Sequence, residues 1–331
     1  MLDGKKILIT GGTGSLGKAL TKRLLKSNVD TIRIFNRNES KQVDMEREVN
    51  DSRLRFLIGD IRDKDRLVTA LEDIDIVFHA AALKHVPLIE YNPFESIKTN
   101  VIGSQNIIDA CIQQNVEIAI GIGTDKAVSP LNAYGATKLL MEKLFTTANN
   151  YLNPSTHKTK FVALRYGNVL SSSGSVVPKF LEQVKSKQEI TITDPNMPRF
   201  SITTDEALDF ILDATLCGHG SEIFVPKLKA YSIMDVKDAI IELHNDTGST
   251  VSGIRPGEKM HETLINDDEI RYGWDLGDKY VIFNPFMKIE KIKENYPNAQ
   301  KIINLTKYSS DMVERISLEE LKTKISNTIK T

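Results

Sequence analysis

Lys6-Ile7-Leu8-Ile9-Thr10-Gly11-Gly12-Thr13-Gly14-Ser15-Leu16-Gly17 is the stretch that decides the fold. An apolar, β-prone run stops at Thr10, three glycines spaced Gly11, Gly14 and Gly17 follow, and an amphipathic stretch starts at Ser15. Gly11 permits a tight turn, Gly14 lets backbone approach a phosphate, and Gly17 lets helix and strand pack closely. Backbone N–H groups and the helix dipole then favour a pyrophosphate, with Thr13, Ser15 and Leu16 completing the cradle. A glycine triplet alone is weak evidence. A strand before it and a helix after it make it a dinucleotide site.

Working outward, β-prone runs alternate with helical patterns. Strands are expected at 6–10, 31–36, 54–59, 74–80, 117–121 and 161–166, and helices at 15–27, 41–50, 64–71, 93–114 and 133–150. This alternation builds βαβ units, so the fold class is α/β: a doubly wound parallel sheet of Rossmann type, with its ligand at the strand C-termini. After Tyr166 the alternation fails, and Ser171-Ser172-Ser173-Gly174-Ser175 and Asp194-Pro195-Asn196-Met197-Pro198 read as loops. The division is therefore a nucleotide domain over 1–167, rejoined by about 203–225 through a helix at Thr204 to Cys217. A smaller, discontinuous substrate lobe takes 168–202 and 226–331, including a Lys/Glu-rich tail beyond the turn at Phe283-Asn284-Pro285-Phe286. Ser317-Leu318-Glu319-Glu320 reads as a cap opening a last short helix.

Composition bounds the function. The 331 residues carry 43 basic and 44 acidic side chains, a net charge of -1 that removes the broad positive field of a nucleic-acid or membrane-surface binder. No apolar run approaches the ~20 residues of a membrane span, and there is no secretory signal pattern. Cys111 and Cys217 stand far apart without metal-ligand spacing, so no metal site is expected and a reducing cytoplasm is the default.

The second strand ends Asn36-Arg37-Asn38-Glu39-Ser40-Lys41, without the acid that usually meets the ribose 2′-hydroxyl of NAD. Arg37 and Lys41, with Asn38 between them, can instead face a 2′-phosphate, which points to NADP; the plainer alternative is a solvated strand end. Asp60, followed by Ile61, can accept from an adenine amine or serve a simple turn. The fifth strand runs into Gly123-Thr124-Asp125-Lys126, and Tyr134-Gly135-Ala136-Thr137-Lys138 follows. Tyr-x-x-x-Lys places both side chains one helical turn apart. A phenol of pKa ~10 needs ~4 kcal/mol of help to act as a base near neutrality. The Lys138 ammonium is expected to supply part of that, with the nicotinamide's positive charge and a hydroxyl such as Thr124 as further sources.

These residues are where the chain resembles the extended short-chain dehydrogenase/reductase enzymes acting on nucleotide sugars. The resemblance covers nearly the whole chain and rests on the glycine loop, His79-Ala80-Ala81-Ala82-Leu83-Lys84-His85-Val86-Pro87, Lys98-Thr99-Asn100, Thr124-Asp125-Lys126, Tyr134 to Lys138, Arg165-Tyr166-Gly167-Asn168-Val169 and Arg255-Pro256-Gly257-Glu258-Lys259. It implies Ala80, Ala81, Ala82 and Asn100 at the cofactor, and a UDP-sugar held by Lys84, Asn168, Val177, Thr193, Arg199, Arg255 and Glu258. His85 is as readily a packed histidine; for the two arginines, surface ion pairing is the lesser alternative. Sugar epimerases of the family usually carry small residues at Asp125 and Lys126, and C5-retaining dehydratases carry Asp-Glu.

The implied activity is dehydration of UDP-N-acetylglucosamine with inversion at C5, by a cytoplasmic homo-oligomer, dimer or hexamer. Tyr134 takes the 4-hydroxyl proton, Lys126 the C5 proton, and Asp125 protonates the departing 6-hydroxyl. A 4-epimerase or reductase is the rival enzyme, and a non-catalytic NADP-binding scaffold the remaining alternative. Three departures from the family pattern stand out. Ser173 lacks a common basic group, Asn38 replaces a common acid, and Gly121 and Gly123 are expected to loosen the wall behind Thr124.

Overall fold

The structure is a computed structural model describing residues 2–153, 155–170, 175–254 and 257–329. β1 (Lys6–Thr10) runs into α1 (Ser15–Leu24), β2 (Thr31–Asn36) into α2 (Glu39–Val49), and β3 (Leu54–Ile58) into α3 (Lys64–Ala70). β4 (Ile76–His79) leads to a broken helical stretch, α4 (Val86–Tyr91), α5 (Pro93–Ser96), a π-helical segment (Ile97–Ile102) and α6 (Gly103–Gln113). β5 (Ile118–Ile122) passes through a 3-10 turn (Asp125–Ala127) into α7 (Ala133–Ala148) and β6 (Lys160–Leu164). Then come α8 (Val176–Lys185), β7 (Ile190–Ile192), β8 (Pro198–Phe200), α9 (Thr204–Cys217), β9 (Glu222–Pro226), β10 (Ala230–Ser232) and α10 (Ile233–Leu243). β11 (Ser249–Val251), β12 (Thr263–Ile265), β13 (Gly273–Asp275), β14 (Lys279–Phe283), α11 (Ile289–Asn295), β15 (Gln300–Lys301), β16 (Tyr308–Ser309) and α12 (Leu318–Ile329) complete the order.

The main sheet runs β3-β2-β1-β4-β5-β6-β9-β14-β13-β15. The pairs from β3 through β9 are parallel, and the last three strands add antiparallel. Strand order reverses between β1 and β4, so the crevice above their C-termini is the ligand site of such a sheet. The central strands are buried on both faces, which is why they read as continuous apolar runs. His79 ties three elements together: its ring meets Thr10 Oγ1 at 2.8 Å and Ser104 Oγ at 3.0 Å. Phe145 of α7 stacks on that ring and is fully buried; truncating such a side chain costs about 3–5 kcal/mol.

Several expectations change in detail. The helix expected over 93–114 breaks into α5, the π-helical segment and α6, where the wider turn carries Asn100. The stretch beyond Phe283 is no tail: β15 pairs with β13 at the sheet edge, β16 pairs with β12, and Leu321 and Ile325 of α12 pack into the second lobe. That return escapes sequence patterning because β13 and β15 are only three and two residues long. The wall at Gly121 and Gly123 is tight rather than loose. A Cβ on Gly121 would lie 2.9 Å from Phe145 Cδ1, and one on Gly123 2.5 Å from Glu142 Oε1, so the glycines let α7 press against β5.

α9 packs against α1: Leu208 and Ile211 share a core with Leu20, and Arg23 of α1 pairs with Asp205 and Asp209. The lobe has its own core around Leu170, Val177, Phe180 and Tyr231. Thr203 with Glu206 and Ser232 with Asp235 form capping boxes on α9 and α10, and Ser317 Oγ accepts from Glu320 N at α12. A buried ion triad joins the halves. Arg165 at the end of β6 donates to Glu142 Oε2 of α7 at 2.7 Å, Glu269 Oε2 at 2.9 Å and the Leu264 carbonyl at 2.8 Å.

Candidate active site

The glycine loop fits a dinucleotide. Gly11 has φ +71°, and a Cβ there would lie 2.8 Å from the Ala81 backbone nitrogen; one on Gly17 would lie 2.4 Å from Gly12 Cα. Gly14 caps α1 in an extended conformation with no side-chain cap, so no side chain occupies the anion-binding end of the helix formed by Ser15, Leu16 and Gly17. Thr13 contributes differently, its N–H donating to Asn36 Oδ1 at 3.1 Å. Ala80, Ala81 and Ala82 run alongside, with the Ala81 N–H on Thr10 Oγ1.

At the second strand, Arg37 is half exposed with its Nη1 3.6 Å from Asp60 Oδ2, and Lys41 is exposed. Asn38 caps α2 by accepting from Lys41 N at 2.9 Å. Asp60 accepts from Arg62 Nε at 2.9 Å and Nη2 at 2.7 Å, a partner that the sequence did not signal. Ile61 is buried where a Cβ on Gly103 would stand. Asn100 acts through the loop rather than as an open ligand: its amide bonds Leu83 N, Leu83 O and Thr137 Oγ1.

α7 carries the next group of residues. Asn132 caps it, accepting from Gly135 N at 2.8 Å and donating to Gly257 O at 3.0 Å. Tyr134, Lys138 and Glu142 then fall at i, i+4 and i+8 on one stripe. Lys138 is buried, and Nζ donates to Ile122 O at 2.5 Å. Burial draws its pKa down to about 8. Burial raises the pKa of the Tyr134 phenol, and the largest influence pulling it down is the Lys126 ammonium. Lys138 turns its ammonium to the β5 carbonyl.

Asp125 is fully buried behind the turn and takes no part in the cavity wall. Its Oδ1 accepts from Thr124 Oγ1 at 2.7 Å and from Lys126 Nζ at 3.2 Å. Lys126 Nζ also reaches Asn168 Oδ1 at 3.0 Å and lies 3.8 Å from Glu262 Oε1. Burial works to lower the pKa of Lys126, but Asp125 and Glu262 outweigh it and hold the group above its ordinary value. Glu262 carries the reverse shift: burial and the Asp125 charge push its carboxyl up to about 7.

Thr124, Lys126 and Tyr134 open onto a cavity of about 550 Å³. Of the expected sugar-nucleotide residues, Lys84, Asn168, Thr193, Arg199 and Glu258 line it, as does His85. Val177 does not; it faces the lobe core, and its neighbour Val176 lines the cavity with Lys179 and Phe180. One position on an amphipathic helix moves a side chain by ~100°, which the sequence pattern did not resolve. Arg199 is buried, bonding the carbonyls of Pro198, Met260 and Lys259 and lying 3.6 Å from Glu258 Oε1. Arg255 and Ser173 lie outside the described residues. Glu262, Lys179, Lys259 and Tyr231 also line the cavity, and sequence reading missed them.

A Rossmann sheet, a glycine cradle and a Tyr-x-x-x-Lys helix beside a cation-rich cavity are the features of the short-chain dehydrogenase/reductase class. The chain belongs to the family described as polysaccharide biosynthesis protein, whose pattern matches residues 7–284. It is 47% identical over 84% of its length to an uncharacterized membrane protein of Methanocaldococcus jannaschii, covering 86% of that protein. It is 43% identical to a UDP-N-acetylglucosamine 4,6-dehydratase (inverting) of Campylobacter jejuni, covering 94% of both chains. It is 40% identical to a UDP-glucose 4-epimerase of Rickettsia bellii over 99% of this chain and 97% of that one. The solved structure of Pen from Bacillus thuringiensis superposes with a TM-score of 0.89 at 38% identity, covering 100% of this chain and 99% of that one. Among the described residues, no helix is long and apolar enough to cross a membrane.

Proposed function

We propose that this protein is a hydro-lyase that dehydrates UDP-N-acetylglucosamine to a UDP-2-acetamido-2,6-dideoxy-hexos-4-ulose with inversion at C5, using NADP. The observation that carries this reading is the Asp125–Lys126 pair set against Tyr134 at the cavity. When bound, the nicotinamide would supply a reversible hydride acceptor for oxidation at C4 and reduction at C6. Tyr134, oriented by Thr124, removes the 4-hydroxyl proton, and the resulting ketone acidifies C5. Lys126 takes the C5 proton, and Asp125 behind it is the source of the proton that the departing 6-hydroxyl requires. Lys84, Thr193, Arg199 and Glu258 hold the sugar nucleotide, with the cations balancing its diphosphate.

Simple C4 inversion needs neither a C5 base nor a C6 acid, so the pair argues against the epimerase named among the relatives. Arg37 and Lys41 support NADP over NAD. Unpaired Cys111 and Cys217 suit a reducing cytoplasm. Exposed Leu88, Tyr91 and Phe94 along α4 and α5 suit a homo-oligomer. Mass spectrometry of the product decides the reaction, since dehydration removes one water and epimerisation none. NMR of the product made in deuterated water reads the C5 configuration; a product of unchanged mass overturns the proposal.

A further inference from the structure

Glu262 sits in the segment entering β12, and its backbone is pinned to the strand opposite: Glu262 N donates to Ser310 Oγ at 3.0 Å and Ser310 N to Glu262 O at 2.8 Å. Its side chain is 4% exposed yet lines the cavity, whereas Asp125 is sealed behind Lys126. Oε1 lies 3.8 Å from Lys126 Nζ and 3.6 Å from Arg199 Nε. Oε2 is buried and finds no donor. The Glu262 carboxyl instead flanks the same Lys126 ammonium as the Asp125 carboxyl, at 3.8 Å and 3.2 Å. Neighbouring buried carboxyls do not both ionise readily, and burial with the Asp125 charge favours the protonated form of Glu262.

Resting on the dehydratase reading above, we infer that Glu262 is the acid that hands a proton to the departing 6-hydroxyl, with Asp125 as the partner that replenishes it. Lys126 first passes a proton to the Asp125 carboxylate, an uphill transfer from a cation held above its ordinary pKa to an acid held below its own, and becomes an amine. The amine takes the C5 proton, the C5–H electron pair becomes the C5–C6 double bond, and the C6–O bond breaks with its pair on oxygen. That oxygen takes the Glu262 proton and leaves as water. Asp125 then returns a proton to Glu262, so the three groups end as they began, with no outside acid or base.

The test uses the full-length enzyme with UDP-N-acetylglucosamine in deuterated water. Glu262→Gln keeps the size and removes the acid. It should still form bound reduced cofactor and still exchange deuterium into C5 of recovered substrate, while dehydrated product falls by about 10²–10⁴-fold. Glu262→Asp should restore part of the product rate. Dehydration by Glu262→Gln at the native rate overturns the inference. So does loss of cofactor reduction and C5 exchange together with product, because that marks a structural role. A native enzyme yielding only the C4 epimer, without loss of water, overturns the dehydratase reading itself and this inference with it.

Discussion

Lys126→Ala separates the elimination step from the redox chemistry common to this class, and its effect on stability follows from the contacts it removes. Lys126 Nζ sits 3.2 Å from Asp125 Oδ1, and the Asp125 side chain is 0% exposed. Removing one partner of such a buried pair costs about 3–5 kcal/mol. At ~2.1 cal/mol/K per residue, a chain of this length loses ~1.4 °C of Tm per kcal/mol, so a fall of ~6 °C is expected near neutral pH. The pH dependence has a definite sign. Burial works to raise the Asp125 pKa, Lys126 outweighs it, and the native value lies below the ordinary 3.8. The stabilisation is therefore present above that range and lost as pH falls, so the gap between native and variant Tm should shrink on acidification. Calorimetry across pH reads this directly. In turnover, the variant should still form some enzyme-bound reduced cofactor but release no 6-deoxy-4-keto product and show little C5 exchange. Rapid exchange with normal product release, or an unchanged Tm at neutral pH, would refute the reasoning.

Tyr134→Phe should abolish C4 oxidation, read as the absence of reduced cofactor on adding substrate, while cofactor affinity stays within twofold. Arg37→Ala should lose about tenfold of its affinity for NADP and little for NAD, because one charge-assisted hydrogen bond is worth ~1.5–3 kcal/mol; titration of both cofactors checks it. Gly17→Ala sets a methyl group 2.4 Å from Gly12 Cα. Overpacking of about 1–3 kcal/mol in the cradle should weaken cofactor binding at least fivefold by fluorescence titration, with the second lobe unaffected by near-UV spectroscopy.

The nucleotide half was legible because its signals are local and periodic. β1, β2 and α9 match their expected bounds, and β3 to β6 differ by at most two residues at either end, whereas the parallel β9 was not expected as a strand. Helix ends moved where caps act, as at Asn38, whose side chain starts α2 two residues earlier than its apolar pattern does. The catalytic stripe was legible because Tyr134 and Lys138 share a helix. The electrostatic partner of Tyr134 was not, since Lys126 reaches it from a separate turn. Glu262 gave no signal at all: a single acid in a loop looks solvated, and only the pairing of β12 with β16 brings it beneath Asp125. The outer strands of the antiparallel edge, β13 and β15, were missed because they are too short to show a period.

The Arg165 triad has a consequence for how the chain reaches this structure. Two of its three acceptors come from about a hundred residues downstream, Leu264 at a separation of 99 and Glu269 at 104. A nascent chain that has finished β6 therefore holds a guanidinium with only Glu142 to meet it. Closing so distant a contact is slow and comes late in assembly. A fragment ending before β12 should remain loosely packed beneath α7, the helix that carries Tyr134, so the competent site forms only once the C-terminal third has docked.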